Sequence, residues 1–204
     1  MFLKYFFQIL FLIYLVSNIA YSNETSEDIK KLENYLNSIN SISSNFVQIN
    51  EDNSISKGKF LLKKPGMMFF EYDKPSNIII LIDKNVITLI NKLSPKTQQK
   101  FPLSITPLYK LSKKNISFKD ENILENISNF SKNHISITLL NHKKPQNGEL
   151  KLIFSKNPIK LIGWHFLSLS EENIKINLTN FKENISISNE KFDYNSIVSK
   201  IKKN

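Results

Sequence analysis

From residue 41 to about residue 181, hydrophobicity recurs mostly with period two, in short segments separated by turn residues. "SISSNFVQIN" alternates, with Ile42, Phe46 and Gln48 on one face and Val47 and Ile49 on the other. "EDN" turns the chain into "SISKGKFLLKK", and Pro65-Gly66 turns it again into "MMFFEYD". "KPSN" leads to "IIILI", "DKN" to "VITLI" and "NKLSP" to "KTQQKF". After a break, "HISITLL", "GELKLIFS", "IKLIGWHFLSL", "NIKINLTNF" and a closing "EKFDY" resume the pattern. Such a chain is predicted to be mainly β with a few helices (α+β), an antiparallel meander of about 10–11 strands. A sheet that long curls rather than staying flat.

The helical signals are few. "TSEDIKKLENYLNSI" (25–39) has Thr25 or Ser26 as cap, acidic residues in its first turn, and a stripe of Ile29, Leu32, Leu36 and Ile39. "ITPLYKLSKK" offers Thr106 as cap, Pro107 at the first helical position, and the pair Leu108 and Leu111. "DENILENISNF" (120–130) is a third helical candidate, with Ile123, Leu124, Ile127 and Phe130 spaced for one face, though its β-branched content weakens the signal. The last residues, "SKIKKN", read as a basic, frayed tail. Three short helices cannot cover both faces of such a sheet. Laid across the mouth of a curled sheet, they would form a lid over an apolar cavity.

The stretch "MMFFEYD" tests that idea, because five large apolar residues fall within six positions where one face should meet water. Met68, Phe70 and Tyr72 share one face and are assigned to the cavity, with Phe46 and Phe60 nearby. Met67 and Phe69 share the other face and would form a convex docking patch. The alternative is that all five are ordinary core.

The 204 residues suit one domain. "MFLKYFFQILFLIYLVSNIAYS" has a positive start, an apolar run too short to span a bilayer, and small residues at Ala20 and Ser22. We therefore expect residues 1–22 to be a cleaved signal peptide and 23–204 a single exported domain. No cysteine occurs, which rules out disulfides and lipid attachment at the cleavage site. All 28 basic residues are Lys, and the net charge is +10. Spread along the whole chain, these lysines suggest a solvated basic surface facing acidic groups or anionic lipid rather than nucleic acid.

Nothing points to catalysis. His134, His142 and His165 lack the helical spacing of a zinc pair, and the four glycines build no phosphate loop or nucleophile elbow. No cofactor or metal is expected, and Trp164 is assigned to the core.

Several stretches together resemble the LolA family of periplasmic lipoprotein carriers. "SSNFVQ" is similar to the family's first-strand F-x-Q. "GKFLLKKPGMMFFEYDKP" is similar to its hairpin with Arg-Pro before an aromatic strand. "ITPLYKLSKK" resembles its mid-chain T-P helix, and "GELKLIFSKNPIKLIGWHFLSLSEENIKINLTNF" its late hairpins. The resemblance covers nearly all of the chain after residue 22. It implies an unclosed β-barrel, or half-barrel, with helices as a lid. It also implies a monomer in the periplasm of a Gram-negative bacterium. Cargo would be triacylated lipoproteins, received from the inner-membrane Lol ABC transporter and passed to the outer-membrane receptor LolB or an equivalent. On this reading Lys64, which stands at the family's Arg, would latch a lid bearing Ile29, Leu32, Leu36, Leu108 and Leu111. Lys donates from one point where Arg forks, so the resemblance leaves open whether Lys64 keeps that role. The rival class is a periplasmic lipid-sensing or regulatory module on the same fold, whose signalling domain would need more chain than the ten or so residues after 194.

Overall fold

The computed structural model describes residues 27–106, 108–118, 123–141, 148–167 and 173–203; the expected leader and the Thr25/Ser26 cap lie outside them. Helix α1 occupies residues 27–38. Six strands follow: β1 (Ser41–Ile49), β2 (Ile55–Lys63), β3 (Met67–Tyr72), β4 (Ile78–Asp83), β5 (Val86–Asn91) and β6 (Gln98–Pro102). A 3-10 turn (Leu103–Ile105) and helix α2 (Tyr109–Ser112) interrupt them. Five more strands complete the sheet: β7 (Ile123–Ser131), β8 (His134–Asn141), β9 (Glu149–Lys156), β10 (Ile159–Leu167) and β11 (Asn173–Glu183). A second 3-10 turn (Asn189–Phe192) leads into helix α3 (Tyr194–Ile201).

The strands form one antiparallel sheet of 11, in the order β6-β5-β4-β3-β2-β1-β11-β10-β9-β8-β7. Consecutive hairpins build each half, and the β1–β11 pair joins the halves, with Phe46 opposite Leu178. The sheet does not close: β6 and β7 are free edges. This is the unclosed half-barrel that the alternating segments predict.

Period two divides the side chains between two cores. Phe46, Phe60, Leu62, Met68, Phe70, Leu152, Phe154, Trp164 and Leu178 are buried on the concave side together with Leu32, Leu36 and Ile39 at α1. Phe69, Ile79, Leu81 and Ile90 form a smaller core on the convex side with Ile187, Phe192 and Ile197.

Four expectations fail here. Residues 123–131 are a strand, not a helix: Glu125, Asn126 and Ile127 pair with Leu139, Thr138 and Ile137 of β8. Sheet pairing decides what ambiguous spacing does not. The chain before the end is helical to Ile201, where a tail frayed from Ser199 was expected. Asp193 Oδ2 accepts from Ser196 N at 2.7 Å and caps α3, which buries Ile197. "EKFDY" accordingly forms a 3-10 turn and a helix start instead of a strand. Nor do Met67 and Phe69 form an open docking patch, because this C-terminal segment covers them.

Candidate functional site

The concave core is closed on one side by α1 and by the strap of residues 103–118. Leu32 and Leu36 of α1 are fully buried, and Ile29 packs against them. From the strap, Leu103, Leu111, Ile116 and Phe118 are buried and Leu108 is half-buried. Thr106 does not cap α2; its hydroxyl turns back to Leu103 O at 3.1 Å, and Pro107 lies outside the described residues. The two parts of the lid hold each other through side chains of α1. Asn37 Nδ2 donates to Ile116 O at 2.9 Å, Ile116 N donates to Asn37 Oδ1 at 2.7 Å, and Phe118 N donates to Glu33 Oε1.

Few polar contacts tie this lid to the sheet. Gly66, at φ +78° in the β2–β3 turn, donates its N–H to Ser112 O at 2.8 Å. Tyr35 OH donates to Glu183 Oε1 at 2.6 Å and accepts from Leu161 N at 3.1 Å. Burial and the Glu183 carboxylate push the Tyr35 phenol well above its ordinary value.

Lys64 adds a cation to these contacts. Its Nζ donates to Leu36 O, 2.7 Å away in the last turn of α1. A cation suits the negative end of a helix dipole, and Leu36 O, which also accepts from Ile39 N at 3.3 Å, has its second lone pair open to Lys64. Burial pulls the Lys64 ammonium down to about 8.

Beneath the lid the aromatic side chains interlock. Phe46 meets Phe70 edge-on at 5.9 Å, Phe60 lies 4.7 Å from Phe70, and Trp164 closes on Phe60 at 5.4 Å. Met68 is fully buried beside them. Tyr72 sits further out, half-buried; its OH donates to Gln48 Oε1 at 2.7 Å, and burial raises its phenol to about 12. The void bounded by Leu36, Phe60, Lys64, Leu111 and Trp164 is about 10 Å³, room for no more than a water. At this point beneath α1 and α2, the protein's own side chains occupy the space assigned to a guest.

The structure thus gathers Phe46, Phe60, Met68 and Phe70 into one buried cluster, sets Tyr72 at its margin, and places Lys64 against α1. It also adds lid residues that the sequence reading missed, Asn37, Glu33, Ile116 and Phe118. Among the described residues no group of three His, Asp or Glu side chains gathers as metal ligands would, and no helix is long and apolar enough to cross a membrane.

The family model of the outer membrane lipoprotein carrier protein LolA matches residues 37–195, so the chain belongs to that family. A LolA superfamily protein from Nitrosomonas europaea is similar at 10% identity and a TM-score of 0.46, covering 80% of this chain and 96% of that one. A DUF1329 family protein from Desulfovibrio piger is similar at 8% identity and 0.51, covering 85% and 98%. MucB is similar at 9% identity and 0.50, covering 84% of this chain and 62% of MucB. At such identities the likeness is one of fold. No curated protein matches the chain by sequence.

Proposed function

We propose that this protein is a periplasmic carrier that shelters the acyl chains of lipoproteins in the space between its sheet and its lid. It would take triacylated cargo from an inner-membrane transporter and deliver it to the outer membrane, through a LolB-like receptor or an equivalent. Family membership supports the class. The observation that carries the mechanism is the Lys64–Leu36 contact, in which a partly buried lysine from the β2–β3 turn reaches across the seam to the end of α1.

Magnitudes favour exchange over a permanent hollow. Burying a large apolar side chain is worth about 1.5–3 kcal/mol, so lifting Leu32, Leu36, Leu111, Ile116 and Phe118 off the sheet costs about 8–15 kcal/mol. A ~16-carbon chain entering in their place contributes about 12 kcal/mol at ~0.8 kcal/mol per CH₂. Own side chains and guest are therefore close to balanced, and a carrier so built can both load and release. An open hollow taking up three chains would exceed the practical ceiling on affinity, near −20 kcal/mol, and could not let go.

The test is titration of purified protein with a fluorescent triacylated lipopeptide, together with mass spectrometry of an organic extract. The expected result is saturable binding and co-purifying lipid. A protein that takes up no lipopeptide at any accessible concentration would refute the reading.

A further inference from the structure

The lid leaves one side of the concave face bare. Of the seven exposed large apolar side chains among the described residues, five (Ile78, Val86, Leu93, Phe101 and Ile105) fall within residues 78–105, around β4 to β6. Two of them point into the half-barrel. Register fixes this: Met68 pairs with Ile82, Ile82 with Ile87 and Ile87 with Phe101, and Met68 is a concave core residue. Ile78 lies on the same face, two and four positions from Ile80 and Ile82. Phe101 is 39% exposed and Ile78 41%.

Two cross-strand rows consequently run outward from the buried core, one as far as β5 and one to the free edge at β6. One passes from Phe60 to Phe70, Ile80 and Leu89; the other from Leu62 to Met68, Ile82, Ile87 and Phe101. Exposure rises along the first, from buried Phe60 and Phe70 to half-buried Ile80 and Leu89. At about 4.8 Å between strands, the second row extends ~14 Å from Met68 on β3 to Phe101 on β6. The void of about 10 Å³ beneath α1 and α2 admits no carbon chain while the lid is shut.

The geometry points to the β4–β6 strip of Ile78, Ile80, Leu89 and Phe101 as a capture surface, where one acyl chain of the cargo adsorbs over the β6 edge before the lid moves. This rests on the carrier reading and adds an order of events: a chain lies along the strip, advances past Ile87 and Ile82 toward Met68 and Phe70 along the row that is apolar from β6 inward, and then displaces α1 and the strap. Continuity with the core selects a hydrocarbon chain as occupant, because each step exchanges one apolar contact for another and no polar group is stranded.

The experiment is stopped-flow mixing of a fluorescent triacylated lipopeptide with the full protein and with Leu89→Asn/Phe101→Asn. Each residue replaced is partly exposed, and thermal melting checks the fold. Association should slow about tenfold or more, the scale of one lost apolar side-chain contact. Ile55→Asn, at the most exposed isoleucine and on the convex face, should leave the rate unchanged. A benzophenone placed at position 78 should crosslink to the lipopeptide. An unchanged rate in a well-folded double variant, or an absence of crosslinking at 78, overturns the inference while the carrier reading stands. Concentration-dependent dimerisation abolished by the double variant would overturn it as well, by assigning the strip to a second copy. Failure of the unaltered protein to bind the lipopeptide would refute the carrier reading itself.

Discussion

Lys63 and Lys64 are sequence neighbours whose ammonium groups leave opposite faces of the sheet. Lys64 Nζ reaches Leu36 O of α1 on the concave side, at 2.7 Å. Lys63 Nζ reaches Ile187 O at 2.8 Å and Asn189 Oδ1 at 2.6 Å in the segment that covers the convex side. One strand end thus fastens both layers, and the two contacts separate by function. Replacing Lys64 by Leu removes a charge-assisted bond that the proposed mechanism breaks on opening. Burial offsets what the charge adds, so the net worth is that of an ordinary hydrogen bond, about 0.5–1.5 kcal/mol, and Lys64→Leu should bind lipopeptide severalfold more tightly and hand it over more slowly in a reconstituted transfer assay. Handover at the normal rate would remove Lys64 from the mechanism.

Lys63→Met provides the contrast. It loses two hydrogen bonds to the C-terminal segment, which should lower stability by about 1–2 kcal/mol in urea unfolding. Lipopeptide affinity should not change, because the convex layer takes no part in opening. A shift in affinity comparable to that of Lys64→Leu would show that the two faces are coupled.

The pH dependence follows from the same residue. Lys64 is held at about 8 against the lid, below its ordinary 10.5, because burial disfavours the charged amine. Lifting the lid returns it to water, so the open form binds the proton more tightly and carries more protons between those values. Raising the pH through that window therefore favours the closed form, and below about pH 8 both forms are protonated and the balance is flat. Tyr35 acts oppositely: its phenol is raised in the closed form, so ionisation near pH 10 favours opening. Lipopeptide affinity should accordingly fall between about pH 8 and 9.5, before Tyr35 titrates. Lys64→Leu should abolish that slope; a slope unchanged by the substitution would assign it to another group.

How much of this was legible in the sequence depends on whether the partners are near in the chain. The hairpins from Ile55 to Asn91 announced themselves, because turn residues and alternation are local and register follows from them. Residues 123–131 did not, since Ile123, Leu124 and Ile127 satisfy helical spacing, and only pairing to β8 settles the matter. Helix α3 carried a readable signal, Asp193 three residues before Ser196 with Tyr194, Ile197 and Ile201 on a helical stripe, but its lysines suggested a solvated tail. Missing that helix turned Met67 and Phe69 into an apparent surface patch. The lid contacts were out of reach for another reason: Asn37 and Ile116 are 79 residues apart, and hydrogen-bond pairing over such a distance leaves no periodic trace.

The aromatic cluster limits which substitutions can probe the proposed pocket. Phe70 is 4% exposed and in ring contact with Phe46, Phe60 and Trp164. A glutamate there would bury a charge with no partner, so Phe70→Glu should fail to fold rather than report on lipid capture. Phe70→Ala is the informative change. It should cost about 3–5 kcal/mol of stability, the usual penalty for emptying a packed aromatic site. If acyl chains occupy the space next to Phe70, saturating lipopeptide should restore a larger share of that loss in the variant than it adds to the unaltered protein, because a guest can fill the void that the missing ring leaves. Thermal melting with and without lipopeptide reads this directly. Equal stabilisation of both proteins would place the bound chains elsewhere than at Phe70.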